Sequence, residues 1–268
     1  MRLFLMSILE WPTWKVNKMD GLYGKRQSDY FKQIFKYLRY VLNDFFVLSV
    51  LFALGGLGLA YSDYVKSLSH PSNLWYSKPL LGLIVIFLLQ IGKPKTLLKK
   101  ADAVFLLAKE SEMGQYLKRS FFSSYLSGAA IVFVGGLVLV PFMLFACDVP
   151  KSDVCLIIFL MLTSKTFVLL AEFAEFYDEK FSSLLFELIF RVLLPVLALL
   201  LALFLNAVLS LCLMLGAIFF LIQNIRQSAY QKMFRWNFAI EKETARMMEL
   251  YRFFNLFCDV PYVVAKAK

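Results

Sequence analysis

Lys93-Pro-Lys-Thr-Leu-Leu-Lys-Lys-Ala-Asp-Ala-Val-Phe-Leu-Leu-Ala-Lys-Glu-Ser-Glu-Met-Gly-Gln-Tyr-Leu-Lys-Arg119 is a charged interruption between two strongly apolar parts of the chain. It has a basic start (Lys93, Lys95, Lys99, Lys100), an apolar middle from Ala101 to Ala108 that contains Asp102, and a polar end. Phe105, Leu106 and Leu107 are too few to cross a bilayer. Exposed they are a liability, so they should pack on the membrane, on the C-terminal tail or on another subunit.

The surroundings decide how the stretch is read. Of 268 residues, 60% are hydrophobic and 18% charged, and the mean hydropathy is +0.67. A soluble domain holds roughly 45–50% apolar residues. The class is therefore an all-α polytopic membrane protein.

Outward from the stretch, the apolar runs are spaced as spans of about 20 residues, the length that crosses a hydrocarbon core of roughly 30 Å. They are Phe45 to Ser62, Trp75 to Gly92, Ser120 to Cys147 and Val154 to Phe176. Leu184 to Ile225 is twice the length of one span and reads as two, with a turn near Asn206. That makes about six spans. Glycines 55, 56 and 58 in the first permit close helix packing. Residues 28–42 form an amphipathic helix, with Phe31, Ile34, Phe35 and Leu38 against Lys32, Lys36 and Arg39. It suits the surface of an anionic membrane; the alternative is an ordinary solvated face. Residues 1–27 read as an N-terminal extension. From Arg226 the chain is a polar tail to 268, free of Gly and Pro up to Val260, which permits one long helix ending before Pro261.

The net charge is +10. Of the 29 Lys and Arg, 24 fall in 1–40, 93–120, 177–183 and 226–268; Lys66, Lys78 and Lys151 lie in the intervening loops. This asymmetry places both ends and the 93–120 loop in the cytosol. It accounts for the charge without nucleic acid, for which no motif is present.

Enzyme constellations are missing. Gly21-Leu-Tyr-Gly24-Lys25 lacks the first glycine and the final hydroxyl of a phosphate loop. His70 is the only histidine and has no metal-ligand company. Cys147, Cys155, Cys212 and Cys258 read as small apolar residues, although Cys147 and Cys155 flank one loop and have the spacing to pair on an oxidising side. The expectation is no catalytic residue, no metal and no cofactor. The charges inside the spans stand out instead. Lys165, Glu172 and Glu175 lie on the fourth span, and Glu187 and Arg191 are four apart on one face. Such residues face a protein interior or a wet path, or else lie near the interface and meet water. Lys165, the deepest, is the candidate for a partner-seeking or path-lining group.

Leu97-Leu-Lys-Lys-Ala101-Asp102-Ala-Val104-Phe105-Leu106-Leu107, with Glu110, Met113 and Tyr116, resembles the LKEAD-x-VFLLP-x-E-x-x-M-x-x-Y block of EcsB-type ABC transporter permeases. So does the tail, with Trp236, Glu243, Arg246 and then Tyr251-Arg252-Phe-Phe-Asn255-Leu-Phe257-Cys-Asp259-Val-Pro261, near the family's YRFANLFTDVP. Lys36 to Asp44 matches the family's approach to its first span. Ala108 stands where the family usually has Pro, and Cys258 where it has Thr. The resemblance covers about 28 to 262 and implies further spans beyond Lys268. It implies a bacterial plasma-membrane subunit without ATP-binding motifs of its own, served by a cytosolic EcsA-type ATPase that binds ATP and Mg. It also implies export of short peptides and an effect on protein secretion. Membrane lipid and a second permease copy are further expected partners. The two blocks are the implied ATPase-coupling surface. The competing expectation is a non-transporting scaffold that regulates intramembrane proteolysis or secretion.

Overall fold

The computed structural model describes residues 19–67 and 76–257. The short apolar run after Arg2, His70, Cys258, Asp259 and Pro261 lie outside them. The described residues are helical, without strands.

In chain order the helices are α1 (Met19–Val41), α2 (Asp44–Ser67), α3 (Ser77–Gln90), a single turn α4 (Asp102–Phe105) and α5 (Met113–Phe145). Then come α6 (Lys151–Ala174), α7 (Leu184–Phe204), α8 (Ala207–Gln231) and α9 (Trp236–Phe254). Five of them, α2, α5, α6, α7 and α8, are long and apolar enough to cross a membrane. The chain is an all-α, multi-pass membrane protein. Helix α3 has 14 residues, about 21 Å at 1.5 Å per residue. It is shorter than the span expected from Trp75 to Gly92, because the backbone turns extended at Ile91 and Gly92 takes φ +95.

Three boundaries differ from expectation. Helix α1 starts within the supposed extension, at Met19, and carries the Gly21–Gly24 look-alike as plain helix. Helix α5 begins at Met113, so the end of the charged stretch is helical and continues into the span. The tail is broken between α8 and α9. Lys232 is extended, Phe234 is buried against Phe176 and Tyr177, and the Arg235 amide donates to the Phe176 carbonyl at 2.9 Å. Packing and that hydrogen bond override the helical propensity of an uninterrupted polar sequence. By contrast, the turn near Asn206 is present: its side chain accepts from the Val208 amide at 2.8 Å and caps α8.

The chain forms two compact units. One comprises residues up to Val50, Lys95–Ser123 and Trp236 onward. Its small core sets Ile34, Tyr37 and Val41 of α1 against Met247, Leu250, Tyr251 and Phe254 of α9. The other comprises Leu51–Pro94 and Ser124–Arg235. Its core runs from Leu81 to Ile225, with α6 most deeply enclosed and packed closely on α8. Helix α2 buries none of its residues, and no atom lies within 4 Å of a Cβ placed at Gly55, Gly56 or Gly58. Among the described residues, those glycines do not serve packing. Cys147, Cys155 and Cys212 are free thiols.

Candidate functional site

In the first unit the charged stretch crosses as irregular backbone before α4, and irregular backbone must find other partners for its polar groups. Side chains from three helices supply them. Tyr23 of α1 and Ser120 of α5 donate to the Lys95 carbonyl at 3.2 and 2.7 Å. Tyr116 of α5 donates to the Thr96 carbonyl at 2.7 Å. Arg26 of α1 donates to the Leu97 carbonyl at 3.2 Å. On the donor side, the Thr96 amide and hydroxyl both reach Glu243 of α9, at 3.0 and 3.1 Å. Leu97 itself sits at φ +52, a left-handed conformation held by these bonds on either side.

Two ion pairs anchor this lashing. Arg26 grips Asp102 with both terminal nitrogens, at 2.7 and 2.6 Å, the fork geometry that guanidinium and carboxylate share. Asp102 also accepts the Lys99 amide at 2.7 Å, which closes the turn into α4. Arg246 pairs with Glu243 at 2.6 Å and donates to the Tyr30 hydroxyl at 3.1 Å. Burial disfavours both guanidinium charges, but the bonds to Asp102 and Glu243 outweigh it and hold both pKa values above the ordinary arginine range. Burial, assisted by the Arg246 charge, pulls Lys95 below its ordinary value. Trp236 donates to Glu110 at 3.4 Å.

The expected coupling residues therefore divide. Asp102, Met113, Tyr116 and Tyr251 are buried, and Arg246 is nearly so; they build the scaffold. Leu106 and Glu110 are half-buried. Val104 and Phe105 are each 76% exposed, and Leu107 is exposed beside them. Ala101, Arg252, Asn255 and Phe257 are also exposed. Arg26, Tyr23 and Tyr30 were not expected here, since a helix start in a supposed extension gives no sign of which long-range carbonyl it will serve. Glu243 was visible only as part of the tail block.

In the second unit, Lys165 is 1% exposed. Its ammonium donates to the carbonyls of Leu89 and Ile91, each at 2.8 Å, and of Gly92 at 3.2 Å. It caps the carbonyl end of α3. Gly128 of α5 makes room for it: a Cβ there would lie 2.6 Å from Lys165 Cε. The remaining span charges meet each other. Arg191 pairs with Glu175 and with Glu187, the expected partner four residues away, and lies 3.6 Å from Glu172. Glu172 and Glu175 are buried, while the Glu187 side chain is half-exposed. Arg191 belongs to the π-helical turns Leu188–Leu193 of α7, and Gln90 donates to its carbonyl at 3.2 Å. At the break before α9, Lys232 pairs with Asp178 at 2.5 Å. Burial pushes Asp178 up, but the Lys232 ammonium and the Lys180 amide prevail and hold it below the usual carboxylate value.

The family described as "Bacterial ABC transporter protein EcsB" matches residues 20–268, so α1 and its Arg26 lie inside the family's extent. Protein EcsB of Bacillus subtilis (strain 168) is 29% identical over 257 residues, 94% of this chain and 61% of that protein. The chain thus spans less than two thirds of this curated relative. No solved structure matches. The lashed 95–102 segment and the tail helix carry the two family blocks, and with a match over nearly the whole length the chain belongs to the EcsB family of bacterial ABC transporter proteins.

Proposed function

We propose that this chain is the membrane subunit of an ATP-driven exporter of short peptides in a bacterial plasma membrane, with both its ends in the cytosol. ATP and Mg are held by a separate EcsA-type ATPase, and the chain itself is not an enzyme. The observation that carries the reading is the tip of α4. Val104 and Phe105, 76% exposed, and Leu107 project from a turn whose base is fixed by Arg26 and Asp102. An apolar tip on a rigid, polar, basic base is the shape of an anchor that fills a pocket on a partner. Rigid anchoring allows a push on the tip to be transmitted along the chain rather than absorbed locally.

The test is a double substitution, Val104→Asp with Phe105→Asp, in the full complex. Each buried anchor contributes about 2 kcal/mol to an interface, so loss of both should weaken ATPase binding by roughly 1,000-fold. The variant should insert and melt like the parent, because neither side chain is packed within the chain. ATPase co-purification at undiminished yield refutes the docking role. For the cargo, cells lacking the chain should retain short peptides, and only an ATPase-competent complex should restore their release. Restoration by a complex with an inactive ATPase refutes transport.

A further inference from the structure

The aromatic end of the tail helix is not explained by the α4 tip. Helix α1 does not use its apolar residues as one face. Ile34, Tyr37 and Val41 pack on α9, whereas Phe31, Phe35 and Leu42 are exposed. At 3.6 residues per turn these three fall within about 40° of one another, and the Leu42 amide still bonds the Leu38 carbonyl in helical register. Lys32, Lys36 and Arg39 are exposed alongside. At the end of α9, Phe253, Leu256 and Phe257 also point outward, Leu256 being 77% exposed, with Arg252 beside them.

These two aromatic flanks are one surface. Tyr37 stacks on Phe254 with centroids 5.5 Å apart and meets Tyr251 edge-on at 6.1 Å. Phe257 meets Phe46 edge-on at 5.4 Å. Phe46 lies in the first turn of α2, a 24-residue apolar helix that bears no charge between Asp44 and Asp63. The membrane therefore begins at about the level of Phe46, and Phe257 is at that level too.

We infer that the outward flank of α1 and the end of α9, Phe253 to Phe257, form a foot that rests in the bilayer interface and prefers anionic lipid headgroups. On this assignment Arg252, Asn255 and Phe257 serve lipid, not the ATPase. Continuity with the start of a membrane-crossing helix fixes the depth, and aromatic rings favour that zone. Charge fixes the headgroup. Lys32, Lys36, Arg39 and Arg252 are exposed on the surface, against the acids Asp29, Asp44 and Glu249. Basic side chains near an anionic leaflet are attracted within a Debye length of it.

The experiment uses the full chain in vesicles of phosphatidylcholine, with and without phosphatidylglycerol, before and after the separately purified ATPase is added. Native cysteines are replaced, and an environment-sensitive fluorophore is attached at Phe35→Cys, Leu256→Cys or Phe105→Cys. At 35 and 256, lipid carrying a headgroup-level nitroxide should remove most of the emission, and adding ATPase should change nothing. Phosphatidylglycerol should deepen the loss at 256. The variant Lys32→Gln, Lys36→Gln, Arg39→Gln should abolish that increment while keeping the basal loss. Emission at 256 that ignores the nitroxide, or that shifts when ATPase is added, overturns the foot and makes this face a protein contact. Equal loss with and without phosphatidylglycerol overturns the headgroup preference. Position 105 reports separately: it should ignore the nitroxide and shift with ATPase, and its failure refutes only the docking of α4.

Discussion

Replacing Gly128 with alanine probes whether Lys165 is fixed in place. The added Cβ would lie 2.6 Å from Lys165 Cε, nearly 1 Å inside an ordinary carbon–carbon contact. A long side chain usually swings away at little cost. This one is buried, and its ammonium already bonds three carbonyls, two of them at 2.8 Å. Moving Cε by about 1 Å breaks at least one charge-assisted bond, which contributes about 1.5–3 kcal/mol. Against this, alanine in place of glycine stabilises a helix interior by about 1 kcal/mol. The net expectation for Gly128→Ala is a loss of about 1–2 kcal/mol. In a Lys165→Ala background the obstacle is gone and only the helix term remains. There Gly128→Ala should be neutral or stabilising by up to about 1 kcal/mol. The coupling between the two positions is then about 2 kcal/mol, well above the few tenths expected of independent sites. Unfolding of the four purified proteins in mixed detergent micelles measures it. Equal cost of Gly128→Ala in both backgrounds refutes the picture of Lys165 as a fixed cap on α3.

Arg26→Met should destabilise the first unit by about 3–5 kcal/mol, because it leaves the Asp102 carboxylate buried without its cation. Adding Asp102→Asn should recover much of this, since the amide oxygen still accepts from Lys99; limited proteolysis within 93–112 reads both. Asp178→Asn should loosen the link between α8 and α9, measured as faster cleavage around Lys232–Arg235. The sign with pH follows from a folded-state pKa held below that of a free aspartate. The tie is complete above that value and is lost as pH falls through the folded pKa, so wild type and variant should converge on acidification. A difference that persists in strong acid refutes the Asp178–Lys232 pair as its cause.

Local pattern made much of the fold legible. Apolar runs announced the helices α2, α5, α6, α7 and α8, because lipid admits few charges. Asn206 announced a break in an apolar run of 42 residues by being a good cap, although neither Gly nor Pro was there to mark it. Glu187 and Arg191 announced their pair through four-residue spacing. Partners distant in sequence were not legible. The bond from Arg26 to Asp102 spans 76 positions and that from Lys165 to Leu89 also spans 76, and neither leaves a periodic trace. Helical propensity misled at Lys232–Arg235, where burial of Phe234 outweighs it.

Of the span charges that stood out in the sequence, Lys165 holds backbone, while Glu172, Glu175, Glu187 and Arg191 meet one another. Lys165 occupies the carbonyls left over where α3 stops short. Lys78 does the same for α7, donating to the Leu203 carbonyl at 3.2 Å while lying over the Phe204 ring. Helix ends within a membrane protein leave carbonyls that no water solvates, and a lysine on a neighbouring helix is one of few groups able to serve several at once. Arg26 and Tyr116 serve carbonyls of the irregular 95–97 backbone in the same way, and Glu243 accepts from its Thr96 amide. An intramembrane lysine followed along a chain is read as a path-lining group. Where a short apolar helix precedes it by about 70 residues and ends in glycine and proline, a carbonyl cap is the stronger reading. Gly128 supplies the independent sign of it, since a glycine opposite a lysine on the next span is needed only when that lysine must lie flat between helices.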